Sequence, residues 1–468
     1  MAATQPLPSL IAGLSSEEYD PVRPARAELL AREAVSARVA QARCSSGAAV
    51  RNLLDGRTTT ATVLRTLDAE AGGGFFAVPV EAEHSEAAAE STFGRGQGAY
   101  VIDVQTHLVS PDRWRSGRAE GLAGFLRMVD PDRWGGGIDP DLLSGAQWAR
   151  NLFGESETNI ALLTSLPGRA TENVLTNQEI AACRDLVDRY SGTNRVLTHT
   201  IVHPNLGPQE MDRLPEWAED LRPAGWKVYT LWDPPELIAP GGTGHGWFLD
   251  DERVGIPFLE AVRRTATRIV CAHKGIAAPV PGASPEGSSP RDIGPVAVRY
   301  PELVFVVYHS GYELDPDGYE GPYDEASSGR GVNRLIASLE ESGVKPGSNV
   351  YAEIGSTWYL ALRRPEEAAH ILGKLLVGVG EDRILWGTDS IWYGSPQSLI
   401  DAFWAFQIPE RLQVECGYPP LTEQVKQKIL WRNAGALYGV ATADLSRSTS
   451  PMDSQELRAI QAAFSAQG

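Results

Sequence analysis

The stretch VIDVQTHLVS places polar side chains inside an otherwise apolar segment. Asp103, Gln105 and His107 occupy alternate positions, so the three share one face if the segment is an extended strand. A buried polar group costs free energy unless it is hydrogen-bonded or bound to a metal. An acid, an amide and an imidazole on one face of a buried strand therefore indicate a functional site.

Comparable groups end several later apolar segments. They are Lys227, His273, His309, Glu353 and Asp389. A single histidine at a strand end is usually structural, but nitrogen and oxygen donors that converge from several strands are what a first-row metal ion requires. The position that these residues share therefore predicts a metal site.

From residue 99 onward, short β-rich segments alternate with helical patterns, as in parallel sheets with crossover helices. The predicted strands are AYVIDVQTHLV, TNIALLTSL, RVLTHTIVH, GWKVYTLW, TRIVCAHKG, LVFVVYHSG, NVYAEIGST and RILWGTDSI. Helices such as NQEIAACRDLVDRY and IPFLEAVRRTA repeat apolar residues at helical spacing. Eight such units predict an α/β fold, a (β/α)8 TIM barrel with long βα loops and an active site at the carboxyl ends of its strands. An open doubly wound sheet is the alternative, although no G-x-G-x-x-G motif follows the first strand.

The chain divides into three predicted regions. Residues 1–98 form an N-terminal helical extension, rich in Ala, Glu, Arg, Gly and Ser, with one helix expected at Ser16–Ala42. Residues 99–445 form the catalytic barrel, and residues 446–468 form a polar tail that ends in a short helix.

Composition excludes several kinds of partner. With 42 basic and 60 acidic residues the net charge is −18, which disfavours nucleic acid and anionic membranes. The four cysteines form no C-x-x-C pair, and no apolar run reaches the ~20 residues that span a membrane. We expect a cytoplasmic protein that acts on a small molecule, with a homodimer as its expected assembly if it self-associates.

These motifs resemble those of the amidohydrolase superfamily, specifically its amidohydrolase-related branch. The resemblance covers residues 99–440 and is carried by five motifs: I-D-x-Q-x-H, a His on the fifth strand, H-S-G, G-T-D, and the closing helix NAGALYGV. It implies that His107, His273 and Asp389 bind metal. It also implies that His309 is either a further ligand or the catalytic acid or base, and that Asp389 or His309 handles the proton.

The sequence departs from the family pattern at Gln105, which stands where the first His of the pair is usual. Its neutral oxygen is a weaker donor, expected to bind weakly or to orient water. Glu353 is a compensating ligand candidate. Lys227 resembles the catalytic lysine that binuclear members carboxylate to bridge two metals; alternatively, it is a cation that neutralises carboxylates. We expect one or two metal ions, favouring two, with iron ahead of zinc or manganese.

Aromatic residues follow several of the predicted strands. The candidates for a substrate pocket are Trp232, Trp247, Tyr312, Trp358, Trp392 and Tyr393. Such residues either pack long loops or line a large apolar cavity. Of the other histidines, His199 and His203 are expected in core or supporting positions, and His84 and His370 at the surface.

The principal hypothesis is a metal-dependent hydrolase that uses a metal-activated water on a thioester or ester of a bulky apolar acyl group, such as a secondary metabolite. In general outline the chain is similar to a dinuclear-iron thioesterase of bacterial terpenoid biosynthesis. The alternatives are amide or lactone hydrolysis, nonoxidative decarboxylation of an aromatic acid with one metal, and a binding protein whose metal site has decayed.

Overall fold

A computed structural model describes Leu10 and residues 26–41, 53–94, 96, 98–118, 120–166, 173–232, 246–276, 284–313 and 320–466. Eight parallel strands follow one another around a barrel in chain order. They are β1 (Ile102–Thr106), β2 (Ile160–Leu163), β3 (Val196–Ile201), β4 (Gly225–Tyr229), β5 (Ile269–His273), β6 (Val304–Tyr308), β7 (Val350–Glu353) and β8 (Ile384–Leu385). Each strand lies inside a predicted segment, so the (β/α)8 barrel is confirmed.

Helices surround the strands. Those of six or more residues are α1 (Arg26–Gln41), α2 (Arg57–Glu70), α3 (Glu86–Phe93), α4 (Glu120–Val129), α5 (Asn177–Ser191), α6 (Leu214–Asp220), α7 (Gly255–Val262), α8 (Ile293–Arg299), α9 (Gly331–Glu341), α10 (Pro365–Gly378), α11 (Gln397–Ala405), α12 (Glu410–Cys416), α13 (Asn433–Tyr438), α14 (Thr442–Arg447) and α15 (Ser454–Ser465). Within the described ranges, no helix combines the length and the apolar character needed to cross a bilayer.

The strands are rich in Val, Ile and Ala because both of their faces are buried, one inside the barrel and one beneath the helices. The barrel interior forms its own apolar cluster, whose buried members on the strands are Ile102, Val104, Ile160, Cys271, Val306, Tyr308, Tyr351 and Leu385. Helix α13 contributes Ala434 to the same cluster. The polar side chains of interest stand above this apolar layer, at the carboxyl ends of the strands.

The barrel closes between β1 and the residues that follow β8. The Asp389 amide donates to the Gln105 carbonyl at 2.8 Å, and the His107 amide donates to the Ser390 carbonyl at 2.6 Å. An isolated parallel bridge pairs Thr106 with Ser390. These contacts form a seam that brings the polar residues of the first strand next to those that follow the eighth.

The N-terminal extension packs against the barrel. Phe76 contacts Phe406 with ring centroids 5.3 Å apart, and the Arg57 guanidinium pairs with buried Asp401 at 3.1 Å. The described part of the predicted helix at Ser16–Ala42 is α1; its earlier residues and Ala42 lie outside the described ranges. In the C-terminal tail the predicted short helix is present as α15.

Candidate metal centre

Four of the predicted ligands meet at the carboxyl ends of the strands. His107 Nε2 lies 2.8 Å from Asp389 Oδ1, and the rings of His273 and His309 have centroids 4.6 Å apart. None of the four is more than 5% exposed. Residues from β1 and β5 and from the turns after β6 and β8, far apart in sequence, therefore share one small buried region.

Backbone carbonyls orient two of the imidazoles. His107 Nδ1 lies 3.0 Å from the Thr164 carbonyl, and His309 Nδ1 lies 2.6 Å from the Gly355 carbonyl. A carbonyl oxygen only accepts, so each Nδ1 carries the proton when the ring is neutral, and each Nε2 presents a lone pair. Buried His273 Nε2 has no hydrogen-bond partner. Three imidazole nitrogens are thus available as donors.

The contact between His107 and Asp389 provides a test of the metal assignment. With its proton on Nδ1, a neutral His107 directs a lone pair at a carboxylate oxygen only 2.8 Å away. That contact is favourable only if a proton or a metal ion supplies positive charge there. Together with the unpartnered His273 nitrogen, this donor set fits a divalent first-row metal.

The same residues pair directly with one another in the structure. Among the described residues, no group of three or more His, Cys, Asp or Glu side chains is arranged as a metal site. Asp389 Oδ1 instead contacts His107 Nε2 and accepts a hydrogen bond from Gln105 Nε2 at 3.1 Å. The fit to a metal therefore rests on donor chemistry and proximity.

Charge at this site is set by burial and by local partners. Burial raises the pKa of Asp389, but its contacts with His107, His309 and Ser356 outweigh that effect, so the net shift is downward. Burial lowers the pKa of His309 to about 4 and holds that of His273 well below its usual value. An ionised carboxylate beside neutral imidazoles is the protonation state that binds metal.

Gln105 presents its amide nitrogen to this cluster. Besides its bond to Asp389, Nε2 lies 3.4 Å from His309 Nε2, while Oε1 has no hydrogen-bond partner. The sequence predicts that Gln105 binds the metal weakly through its oxygen or orients water, and Oε1, which has no partner, remains available for either role. Its Nε2 meanwhile contacts both Asp389 and His309.

Glu353 lies beneath the cluster with both carboxylate oxygens engaged. Oε2 accepts from the His309 amide at 3.1 Å and Oε1 accepts from the Gly355 amide at 2.5 Å. Burial raises the pKa of Glu353 to about 8. A Cβ atom on Gly387 would lie 1.9 Å from Glu353 Oε1, so this glycine leaves the space that the predicted ligand occupies.

Lys227 lies deeper in the barrel than the histidines. In the β4–β5 register it faces Cys271, whereas Tyr229 faces His273. Its Nζ has no hydrogen-bond partner and lies 3.4 Å from the centroid of the Tyr308 ring; burial lowers its pKa to about 8. Because Lys227 lies this deep, we favour its role as a cation that neutralises carboxylates over its role as a carboxylated bridge between two metals.

Trp392 lies beside a predicted ligand, and Trp232 belongs to a cluster that contacts another. Trp392 stacks on His107 with ring centroids 5.7 Å apart. Trp232 belongs to a small apolar cluster with Ile201, Tyr229 and Leu231, and the Tyr229 ring lies 5.3 Å from His273. These residues form an apolar wall at the mouth of the barrel.

The other predicted pocket residues have packing or hydrogen-bond partners nearby. Trp358 contacts Phe403 and Phe406, at 5.4 and 5.2 Å between centroids, and its indole N–H donates to a backbone carbonyl. Buried Trp247 belongs to the main core, and the Tyr312 hydroxyl donates to Glu367 at 3.2 Å. Packing therefore accounts for these three aromatics.

Tyr393 leads to a residue that sequence reasoning missed. The Ser356 hydroxyl contacts the Tyr393 hydroxyl at 2.5 Å and donates to Asp389 Oδ2. Nothing in the periodicity around EIGST marks Ser356. Only the folded backbone marks Ser356 as a site residue. Four residues with positive φ lie together at this mouth: His309, Ser310, Ser356 and Asp389. Such strained conformations persist where the surrounding structure enforces them, often at functional sites.

Asp103 lies on β1 and is hydrogen-bonded to the segment that precedes Asp389. Its carboxylate accepts hydrogen bonds from the Thr388 hydroxyl and amide and from the Gln105 amide. These bonds tie β1 to the turn before Asp389. Burial nevertheless raises the pKa of Asp103 to about 7.

Three other histidines in the described ranges lie outside the ligand cluster: His84, His199 and His370. His199, as expected, is buried in the barrel with Nε2 3.3 Å from Cys271 Sγ, and His84 is exposed. The prediction that His370 lies at the surface is wrong: it is 4% exposed, with Nδ1 3.1 Å from the Tyr418 hydroxyl. The residues around Tyr418 cover this face of α10.

Three solved decarboxylase structures are similar to this chain. A 5-carboxyvanillate decarboxylase from Novosphingobium aromaticivorans, solved with bound manganese, is 16% identical over 74% of this chain and 99% of that one, with a TM-score of 0.43. A dihydroxybenzoic acid decarboxylase from a Polaromonas species, also with manganese, is 14% identical over 73% of this chain and 97% of that one, with a TM-score of 0.42. A 2,6-dihydroxybenzoate decarboxylase from Rhizobium is 14% identical over 73% of this chain and 99% of that one, with a TM-score of 0.41.

No curated protein matches the chain. The amidohydrolase family model matches residues 102–440, from the first strand to the end of the closing helix. That range contains all of the candidate ligands and most of the chain. The protein therefore belongs to the amidohydrolase family.

Proposed function

We propose that the protein is a metal-dependent hydrolase in which His107, His273 and Asp389 hold a divalent metal. The observation that carries this proposal is that the Asp389 carboxylate meets the imidazoles of His107, His273 and His309 in one buried region, where their Nε2 atoms can accept protons. Hydrolysis needs such acceptors, because water must lose a proton as it attacks a carbonyl. When bound, a divalent metal polarises the carbonyl and lowers the pKa of water.

His309 is the proposed general base. The Gly355 carbonyl fixes its proton on Nδ1, so Nε2 carries the lone pair that we propose accepts a proton from the attacking water. Gln105 Nε2, 3.4 Å away, limits rotation of the ring. Asp389 both holds the metal and stabilises the imidazolium that forms when His309 accepts the proton.

The apolar wall supports a bulky apolar acyl group as substrate. Ile201, Tyr229, Leu231 and Trp232 line one side, and Trp392 lies beside His107 on another. Burial of an acyl skeleton against such a wall provides about 25 cal/mol per Å² of binding. A thioester or ester of a large carbon skeleton is therefore the proposed substrate class.

Nonoxidative decarboxylation is a second candidate, favoured by a different observation. Lys227 Nζ is buried in the barrel and has no hydrogen-bond partner there. A cation of this kind attracts a substrate carboxylate, which hydrolysis of a neutral ester does not require.

A metal-reconstitution experiment distinguishes the two reactions. Protein stripped by a chelator and reloaded singly with Mn²⁺, Fe²⁺ or Zn²⁺ is tested on acyl thioesters and esters of increasing size and on aromatic carboxylic acids. We expect hydrolysis only after reloading, with kcat/KM rising with acyl size. Release of CO2 without hydrolysis would establish the second candidate, and equal activity of the stripped protein would contradict both.

His309→Gln tests the proposed base. We expect metal content to remain that of the wild type while kcat falls by about 10²- to 10⁴-fold, the usual contribution of general base catalysis. Metal content is measured by elemental analysis and kcat on the best substrate. His370→Gln, at a buried histidine outside the site, is the matched control. Loss of metal from His309→Gln would instead make His309 a ligand.

A further inference from the structure

We propose that the N-terminal extension is part of the metal site, because a buried chain of side chains runs from Glu28 on α1 to the ligand Asp389. Tyr393 and Ser356 are the positioning residues at its inner end. This inference rests on the proposed function for the role of Asp389 as a ligand. It adds that residues outside the barrel determine how firmly that ligand is held.

The inner end of the chain fixes the second oxygen of Asp389. Oδ1 faces His107 and Gln105, whereas Oδ2 accepts from the Ser356 hydroxyl. Ser356 in turn lies 2.5 Å from the Tyr393 hydroxyl. Both Ser356 and Asp389 have positive φ, at 52° and 61°, so their backbones sit in conformations that need support.

The middle of the chain is a stack of rings. Tyr393 and Tyr359 lie parallel, with centroids 3.6 Å apart and planes 17° from each other. The Arg363 guanidinium lies 4.2 Å from the Tyr359 centroid and donates to the Tyr359 carbonyl at 2.5 Å. All three side chains are buried, so a shift in one is transmitted by contact to the next.

The outer end lies on the extension. Glu28 Oε1 is 3.1 Å from Arg363 Nε, and the two side chains are only 8% and 2% exposed. A buried guanidinium that loses its carboxylate partner is strongly destabilised and moves toward other acceptors or water. Glu28 of the extension, together with Asp130, therefore places negative charge close to Arg363.

Metal affinity is the quantity that this arrangement affects. Groups that orient a ligand typically change metal affinity by about 10- to 100-fold when removed. Loss of the Tyr393 hydroxyl leaves Ser356 free to turn away from Asp389. A substitution at Glu28 acts through the same series of contacts but farther from Asp389. Its effect on metal affinity is therefore expected to be smaller than that of a substitution at Tyr393, and not to add to it.

The test is a titration of apoprotein with Mn²⁺, Fe²⁺ or Zn²⁺, using the metal that the wild type binds most tightly. We expect Tyr393→Phe to raise Kd by about 10- to 100-fold. Glu28→Gln, nearly isosteric, is expected to raise Kd by about 2- to 30-fold. The double variant is expected to bind no more weakly than Tyr393→Phe alone, because both changes act on one path.

Two controls separate positioning from general loss of stability. Glu83→Gln breaks the Arg65–Glu83 pair within the extension, and Tyr323→Phe removes a hydroxyl bonded to Glu340 near the surface. Both are expected to leave Kd unchanged. Wild-type Kd in Tyr393→Phe, or additive effects of the two site variants, would overturn the inference while leaving the proposed function intact. A wild type that binds none of the three metals would overturn the proposed function itself.

Discussion

Asp389→Asn is expected to lower kcat/KM by about 10³-fold or more and to remove most of the bound metal. The substitution keeps size and shape but removes the negative charge of the carboxylate that contacts His107 and Gln105. The loss corresponds to the several kcal/mol of charge stabilisation that a catalytic metal supplies. Elemental analysis and kinetics on the same preparation measure both effects.

Asp188→Asn is the matched control for this prediction. The Asp188 carboxylate accepts from the Arg195 and Val196 amides at the opposite end of the barrel, a role that an amide oxygen also fills. We expect metal content and rate close to the wild type. Full metal content and full activity in Asp389→Asn would show that the ligand set has been assigned to the wrong residues.

Gly387→Ala is expected to cause the largest loss of stability among single-methyl additions at the site. The new Cβ would lie 1.9 Å from Glu353 Oε1 and 3.0 Å from Gln105 Cβ. Relief requires Glu353 to leave the two backbone amides that it accepts from. We expect unfolding free energy to fall by about 3 kcal/mol, the upper end of overpacking costs, measured from the urea midpoint.

Gly329→Ala adds the same methyl group at an exposed position with no heavy atom within 4 Å. Its urea midpoint is expected to match that of the wild type. An unchanged midpoint in Gly387→Ala would mean that Glu353 moves at little cost, and that its hydrogen bonds to the backbone contribute little to the fold.

The strands and the ligand candidates could be predicted because both depend on local sequence. Each barrel strand is a short run of Val, Ile and Ala with a polar residue near its carboxyl end, and parallel packing brings those ends together. That pattern singles out His107, His273, His309, Glu353 and Asp389 as candidates, and the resemblance to the amidohydrolase superfamily implies that His107, His273 and Asp389 bind metal. The burial of His370 could not be predicted, since the helix that carries it is covered by residues much later in the chain.

The residues that hold the candidate ligands in place could not be predicted, because their roles depend on contacts between distant segments and on backbone conformation. Ser356 reaches Asp389 only because its own φ is positive, and no residue type near it requires that. Glu353 meets two backbone amides only after β6 and β7 have paired. Trp358, which looks like a pocket residue in sequence, packs on α11 instead.

The seam between β1 and β8 joins closure of the fold to assembly of the site. Strand β8 has two residues, and beyond it the Asp389 and His107 amides cross the seam to Gln105 and Ser390. Local opening of this seam would separate His107, which follows the first strand, from Asp389, which follows the eighth. Slower hydrogen exchange at these two amides in the metal-loaded protein than in the apoprotein would therefore report ligation, since a bound ion would hold both edges of the seam together.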